Sequence, residues 1–181
     1  SEQSLNRNSI LIESNSFNDL NLSLQFIQNI NKNTFHNFYN TQKGIRTSIT
    51  TPFYWGSVEA SIQLLPFINQ NQNYVSFISI QPIVKWGKNI YLNKYISWFN
   101  SIGFGINIFY FSDKQFTKPI DMLFFIEKTE SEIGISYSSK LKNHITKNLN
   151  INIEISNDII FTYKKIYLVS IGLGMGYSFE T

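Results

Sequence analysis

The chain has 181 residues, enough for one domain, with 43% hydrophobic and 16% aromatic residues but only 15% charged ones and a formal net charge of +3. No stretch approaches the roughly 18 consecutive apolar residues of a membrane helix, so any crossing of a bilayer has to be made by strands. The absence of cysteine removes disulfides and thiolate metal sites, and Lys and Arg scatter through predicted turns instead of forming the basic stripe that nucleic acid requires.

The polar opening "SEQSLNRNS" has no basic-apolar leader and reads as the start of an already processed chain. Residues 1–19 are expected to be a periplasmic tail or, through "NSILIESNSF", a short extra strand. From residue 20 to 181 the pattern changes to alternation of period two, the signature of half-buried strands. "LNLSLQF" sets Leu20, Leu22, Leu24 and Phe26 against Asn21, Ser23 and Gln25. "GIRTSIT" sets Ile45, Thr47 and Ile49 against Arg46 and Ser48, and "SVEASIQL" sets Val58, Ala60, Ile62 and Leu64 against Ser57, Glu59, Ser61 and Gln63. "YVSFISIQPIVKW" is apolar on both faces in its first half, with Gln81 and Lys85 sharing one side. "ISWFNSIGFGINIFY", "EIGISYS", "LNINIEIS" and "IYLVSIGLGMGYSFET" continue the alternation. In the last of these Ile171, Leu173, Met175, Tyr177 and Phe179 face away from Gly172, Gly174, Gly176 and Ser178.

These segments predict an all-β, antiparallel up-and-down barrel of eight strands. Ten is the fallback if "NSILIESNSF" and "DMLFFIEK" also form strands. Long outer connections are expected at "NKNTFHNFYNTQK", "INQNQN" and the segment from Ser112 to Glu130, with a short one at "YKK". Inner turns fall at "TPFY", "GKNIYLNK" and "KNHITKN". Alternation alone does not say which face is inside. The choice comes from residue character: one face is Gly, Ser, Asn and a few charges, the other a band of Ile, Leu, Val and rings. An eight-stranded interior has room only for side chains, so the small and polar set belongs there and the bulky set faces lipid. This arrangement puts Trp55, Trp86 and Trp98 near the periplasmic rim and Tyr74, Tyr110, Phe161 and Tyr163 near the other, as two aromatic girdles.

With these strands in place the chain resembles the small eight-stranded bacterial outer-membrane β-barrel proteins of the OmpX-like group. Its most specific stretch is "GLGMGYSF", similar to the aromatic-ended final strand that the barrel-assembly machinery recognises. Glu180 and Thr181 after Phe179 depart from that pattern. The resemblance implies an outer-membrane location, membrane lipid and lipopolysaccharide as surroundings, other outer-membrane proteins as possible partners, and a structural or surface-interaction role without catalysis. A second resemblance, to the lipid A 3-O-deacylases, implies a membrane enzyme: "EISN", from Glu154 to Asn157, stands where that family carries His-x-Ser-Asn. Glu154 and Ser156 would then be the catalytic pair, with a carboxylate in place of the imidazole base and both residues on the inward parity.

Arg46, Glu59, Lys85, Glu132, Glu154 and Asp158 all fall on the inward face and are expected to form a polar network plugging the lumen. Arg46 pairs directly with Glu59 if Thr50 lies opposite Trp55. Lys32, Lys43, Lys114, Lys118, Lys164 and Lys165 lie in outer connections, where lipopolysaccharide phosphates would be met. His36 and His144 are isolated, and no metal or other cofactor is expected.

Overall fold

The computed structural model describes residues 19–32, 34–70, 75–112, 129–163 and 165–180. The β-branched and aromatic residues that occupy every second position favour extended backbone, because their bulk at Cβ packs well on a pleated surface. Among the described residues they build nine strands: β1 (Asp19–Asn29), β2 (Tyr39–Thr41), β3 (Gly44–Phe53), β4 (Gly56–Asn69), β5 (Phe77–Tyr91), β6 (Ile96–Phe111), β7 (Thr129–His144), β8 (Leu149–Ile160) and β9 (Ile166–Glu180). Eight of them close on themselves in the order β4, β3, β1, β9, β8, β7, β6, β5, with β5 returning to pair with β4. Closure leaves none of the eight with an open edge, which lets a sheet survive where no water can satisfy its backbone. The three-residue β2 pairs with β4 beyond the barrel wall, preceded by a 3-10 turn over Thr34–Asn37. The candidate strands before residue 19 and at "DMLFFIEK" lie outside the described residues.

The start of β1 and the end of β9 meet at one rim, where Asp19 lies opposite Glu180. The same rim carries the short turns, and the other carries the longer connections; we call them the turn end and the loop end. The turns are closed by local chemistry. Tyr54 and Trp55 form a two-residue turn between the paired Phe53 and Gly56, with Tyr54 at a φ of 52°. Asn93 Oδ1 accepts from the backbone N–H groups of Tyr95 (2.8 Å) and Ile96 (2.9 Å), and Thr146 Oγ1 accepts from that of Leu149 (3.0 Å).

The strands are longer than the alternation alone indicates. β5 runs through "GKNIY" to Tyr91, β7 through "SKLKNH" to His144, and β8 through Asn157 and Asp158 to Ile160. Each extension keeps hydrogen-bonding to its neighbour up to the rim, which overrides the turn propensity of Gly, Asn and Lys in those segments.

Parity sorts the two faces as expected. Leu22, Leu24, Phe26, Ile49, Ile62, Phe104, Ile133, Ile153, Leu173 and Met175 point outward and stay exposed, whereas Gln25, Glu59, Asn107, Ser138 and Asp158 point inward at 0% exposure. Among the inward glycines, Gly174 meets a close backbone approach: a Cβ there would run into the Leu24 carbonyl and come within 2.7 Å of Gln25 Cα, so β9 passes tightly against β1 at this point. The three tryptophans gather at the turn end, with Trp55 edge-on to Trp86 at 4.2 Å and Trp98 donating to Ser139 Oγ at 2.7 Å. Tyr177 and Phe179 join them at 4.8 Å from each other. At the loop end Tyr110, Phe161, Tyr163 and Tyr167 are exposed. Tyr74 lies outside the described residues.

Candidate functional site

The lumen is filled in tiers, and the middle one is ionic. β3 delivers Arg46, β4 Glu59, β5 Lys85, β7 Lys140 and β8 Glu154, each at 0 or 1% exposure. Glu154 receives Arg46 at 2.6 Å, Lys85 at 3.1 Å and Lys140 at 3.2 Å; Glu59 receives Lys85 at 3.3 Å and also Lys140. Five ion pairs thus tie five strands together across the axis. Neutral donors and acceptors complete the cluster. Arg46 donates through Nε (3.0 Å) and Nη2 to Gln63 Oε1 and through Nη2 to Ser156 Oγ (3.0 Å), Lys85 donates to Ser138 Oγ (3.2 Å), and Thr50 Oγ1 donates to Glu59 (3.4 Å). Isolated charges in a low-dielectric interior are prohibitive, and this degree of mutual pairing is what makes them tolerable.

Of the inward charges expected from the sequence, Arg46, Glu59, Lys85 and Glu154 enter this cluster. Asp158 is buried one tier away, opposite Ser136 and Leu168, and makes no ion pair within 4 Å among the described residues. Glu132 shares the inward parity but sits half-buried opposite Asn107, toward the loop end and apart from the cluster. The direct pairing of Arg46 with Glu59 is overturned. The tight Tyr54–Trp55 turn puts Thr50 opposite Glu59 and Arg46 opposite Gln63, a slip of four residues from the register with Thr50 opposite Trp55. Arg46 therefore reaches across the lumen to Glu154 instead.

Two residues were missed. Lys140 and Lys142 fall within the extension of β7, Lys140 just past the end of "EIGISYS" and Lys142 in "KNHITKN", which looks like a turn. The signal that would have found them is parity, since Ser136, Ser138, Lys140 and Lys142 continue one face without a break.

Above the cluster, toward the loop end, the lumen turns apolar. Ile27, Leu65, Phe67, Phe77, Phe109, Ile160 and Leu168 form a buried core, against which Phe35, Tyr39, Phe111 and Ile166 pack. Phe67 and Phe77 stack at 4.8 Å, Phe109 meets Phe77 edge-on at 5.3 Å, and Phe35 from the 3-10 turn stacks on Tyr39 at 5.0 Å while touching Phe67 at 5.3 Å. The first outer connection thereby corks the barrel with its own ring. His36, next to this cork, is held below the ordinary imidazole pKa by partial desolvation.

The candidate deacylase pair is placed unfavourably for attack on a membrane lipid. Glu154 and Ser156 both point into the lumen at 1% exposure, and both accept hydrogen bonds from Arg46. Of the outer lysines, Lys32, Lys43 and Lys165 are exposed at the loop end, Lys165 lying 5.9 Å from the Phe161 ring. Lys114, Lys118 and Lys164 lie outside the described residues. His144 Nε2 lies 3.0 Å from Ser97 Oγ. Among the described residues no group of three His, Asp or Glu side chains is placed to hold a metal.

No protein-family model matches the chain, and no curated protein matches its sequence. Solved structures do match. The chain is similar to Neisserial surface protein A, with a TM-score of 0.58 at 10% identity over 90% of this chain and 96% of that one. It is equally similar to the outer membrane protein OprG from Pseudomonas aeruginosa, with a TM-score of 0.58 at 9% identity over 94% of this chain and 100% of that one. A de novo designed transmembrane β-barrel matches with a TM-score of 0.50 at 12% identity, over 90% and 96%. At such identities the likeness is one of fold, and the fold is that of the small, closed, transmembrane β-barrels.

Proposed function

We propose that this chain is a small integral protein of the bacterial outer membrane and that it acts as a closed, non-catalytic barrel. Its role would be structural or one of surface interaction, alone or as a subunit of a larger envelope complex. The observation that carries this reading is the contrast between an apolar outer wall and a lumen stoppered twice, by the five-membered ion cluster and by the aromatic core with Phe35. Such a barrel holds no water-filled path of porin width, so what it offers its surroundings is its wall and its loop end. Membrane lipid meets the wall. Exposed Lys32, Lys43 and Lys165 would meet lipopolysaccharide phosphates at the loop end and bind them as point charges, joined by Lys114, Lys118 and Lys164, which the sequence also puts in outer connections.

Placement of Glu154 and Ser156 in the lumen, already engaged by Arg46, weighs against the lipid A deacylase alternative. The test combines three measurements on the expressed protein. It should fractionate with outer membranes, give no stable open channel of porin size in planar bilayers, and leave the acyl chains of host lipid A unchanged by mass spectrometry. A stable large conductance would sink the closed-barrel reading. Loss of an acyl chain that depends on Ser156 would replace it with the enzyme.

A further inference from the structure

At the turn end the lumen opens into a polar cavity of about 220 Å³, below the ion cluster and adjoining it at Thr50, whose hydroxyl donates to Glu59. Lys142 lines this cavity at 6% exposure. It makes no ion pair within 4 Å among the described residues, and what it has is the Phe99 ring, 5.3 Å from its Nζ. Phe99 is fully buried and lies 6.0 Å from Lys140 Nζ as well, so one ring stands between the fully paired lysine of the cluster and the unpaired lysine of the cavity. The charge count agrees. The buried charged side chains among the described residues are Arg46, Lys85, Lys140 and Lys142 against Glu59, Glu154 and Asp158, an excess of one positive charge.

A buried ammonium that no carboxylate answers is costly unless a counter-ion comes from outside. Around Lys142 the cavity wall supplies short polar groups: Ser57, Ser97, Asn150 and Ser178. His144 and Lys147 stand nearer the rim, and Asp19, exposed at the mouth, is the lining carboxylate. Hydroxyls and amides can donate to anionic oxygens, and they do so best where a positive charge already favours the anion. At about 220 Å³ the space suits a small oxyanion with some of its water and is too small for a lipid. We propose that this cavity is a binding site for a small oxyanion of the phosphate class, entering from the aqueous phase at the turn end and held by Lys142.

The test uses the full chain, isotopically labelled and folded in nanodiscs of zwitterionic lipid, with inorganic phosphate titrated against chloride at constant ionic strength. Saturable shifts are expected in the amides of Ser57, Asn150 and Ser178, and not in those of Phe67 or Phe77 at the loop end. Lys142→Met should weaken the midpoint roughly tenfold to a hundredfold, the range expected for losing a hydrogen bond to a charged group. Lys142→Arg should keep most of the affinity. Ser57→Asp, which supplies an internal carboxylate, should abolish phosphate binding while leaving the barrel folded by heat-modifiable gel mobility, and so tests the site even if Lys142→Met misfolds. Absence of saturation, or unchanged affinity in both Lys142→Met and Ser57→Asp, would overturn the proposal. A third arm uses phosphatidylglycerol nanodiscs without phosphate: the same shifts there would assign the oxyanion to a lipid headgroup and overturn its aqueous origin.

Discussion

The middle of the lumen is held by charge and its loop end by rings, and the two tiers solve one problem in different ways. Both fill the same narrow cylinder. The ionic tier joins β3, β4, β5, β7 and β8 through long, directional side chains, so each contact depends on its partner's being present. The aromatic tier draws on β1, β4, β5, β6, β8 and β9 through non-directional packing, in which a lost atom leaves a gap without stranding a charge. The difference teaches that stoppering a small barrel requires volume everywhere but pairing only where charge is present.

The largest expected effect lies in the ionic tier. Glu154→Ala removes the shared acceptor of Arg46, Lys85 and Lys140 and should cost about 3–5 kcal/mol, measured by urea unfolding of the micelle-folded barrel. Phe77→Ala, at the centre of the rings, should cost about 3 kcal/mol by the same assay. If the two costs were reversed, the contrast between stranded charge and simple cavity would fail.

A control on the outside of the wall comes next. Leu173→Asp puts a carboxylate on the lipid face, where Leu173 is 58% exposed between Phe26 and Ile153, and should cost about 2–4 kcal/mol and deplete the heat-modifiable folded band. Gly174→Asp, one residue on, should fail by steric crowding of Leu24 and Gln25, so its defect should persist in Gly174→Ala. An innocuous Gly174→Ala would remove that distinction.

Double-mutant cycles sharpen the comparison further. Arg46 with Glu154 should show coupling of about 1–3 kcal/mol, and Phe67 with Phe77 about 0.5–1.5 kcal/mol. Equal couplings would mean the ionic contacts are no more interdependent than the packed ones. The smallest effect is expected at Lys165→Ala, within about 0.5 kcal/mol, because this lysine is exposed at the loop end, whereas Lys140 is buried in the cluster.

The ionic tier was largely legible in the sequence because a charged residue inside an alternating strand keeps to the polar phase only when it points inward. Arg46, Glu59, Lys85 and Glu154 each stand at the polar phase of an alternating strand, as does Asp158 one tier away. Lys140 and Lys142 escaped because the alternating stretch "EIGISYS" stops at Ser138 and "KNHITKN" reads as a turn, although the parity continues through both lysines. The aromatic tier was hardly legible. Ile27, Leu65, Phe67 and Phe109 look in the sequence like more of the lipid-facing set, and only the doubly apolar first half of β5 hinted at rings on the inside.

By itself the sequence determined the strands, their facing, the inside-out barrel and which face would meet lipid. These follow from a local rule, the period of two, which the barrel strands obey independently outside the doubly apolar first half of β5. Tertiary structure alone decided who pairs with whom. The register between strands is set by the length of each turn, and the two-residue turn at Tyr54 and Trp55 shifted Arg46 four positions from Glu59 and sent it across the lumen to Glu154. Closure then brought β3 and β8, far apart in sequence and not hydrogen-bonded neighbours in the sheet, to within 2.6 Å at their side chains, because a cylinder of eight strands is narrow enough for side chains to meet across its axis.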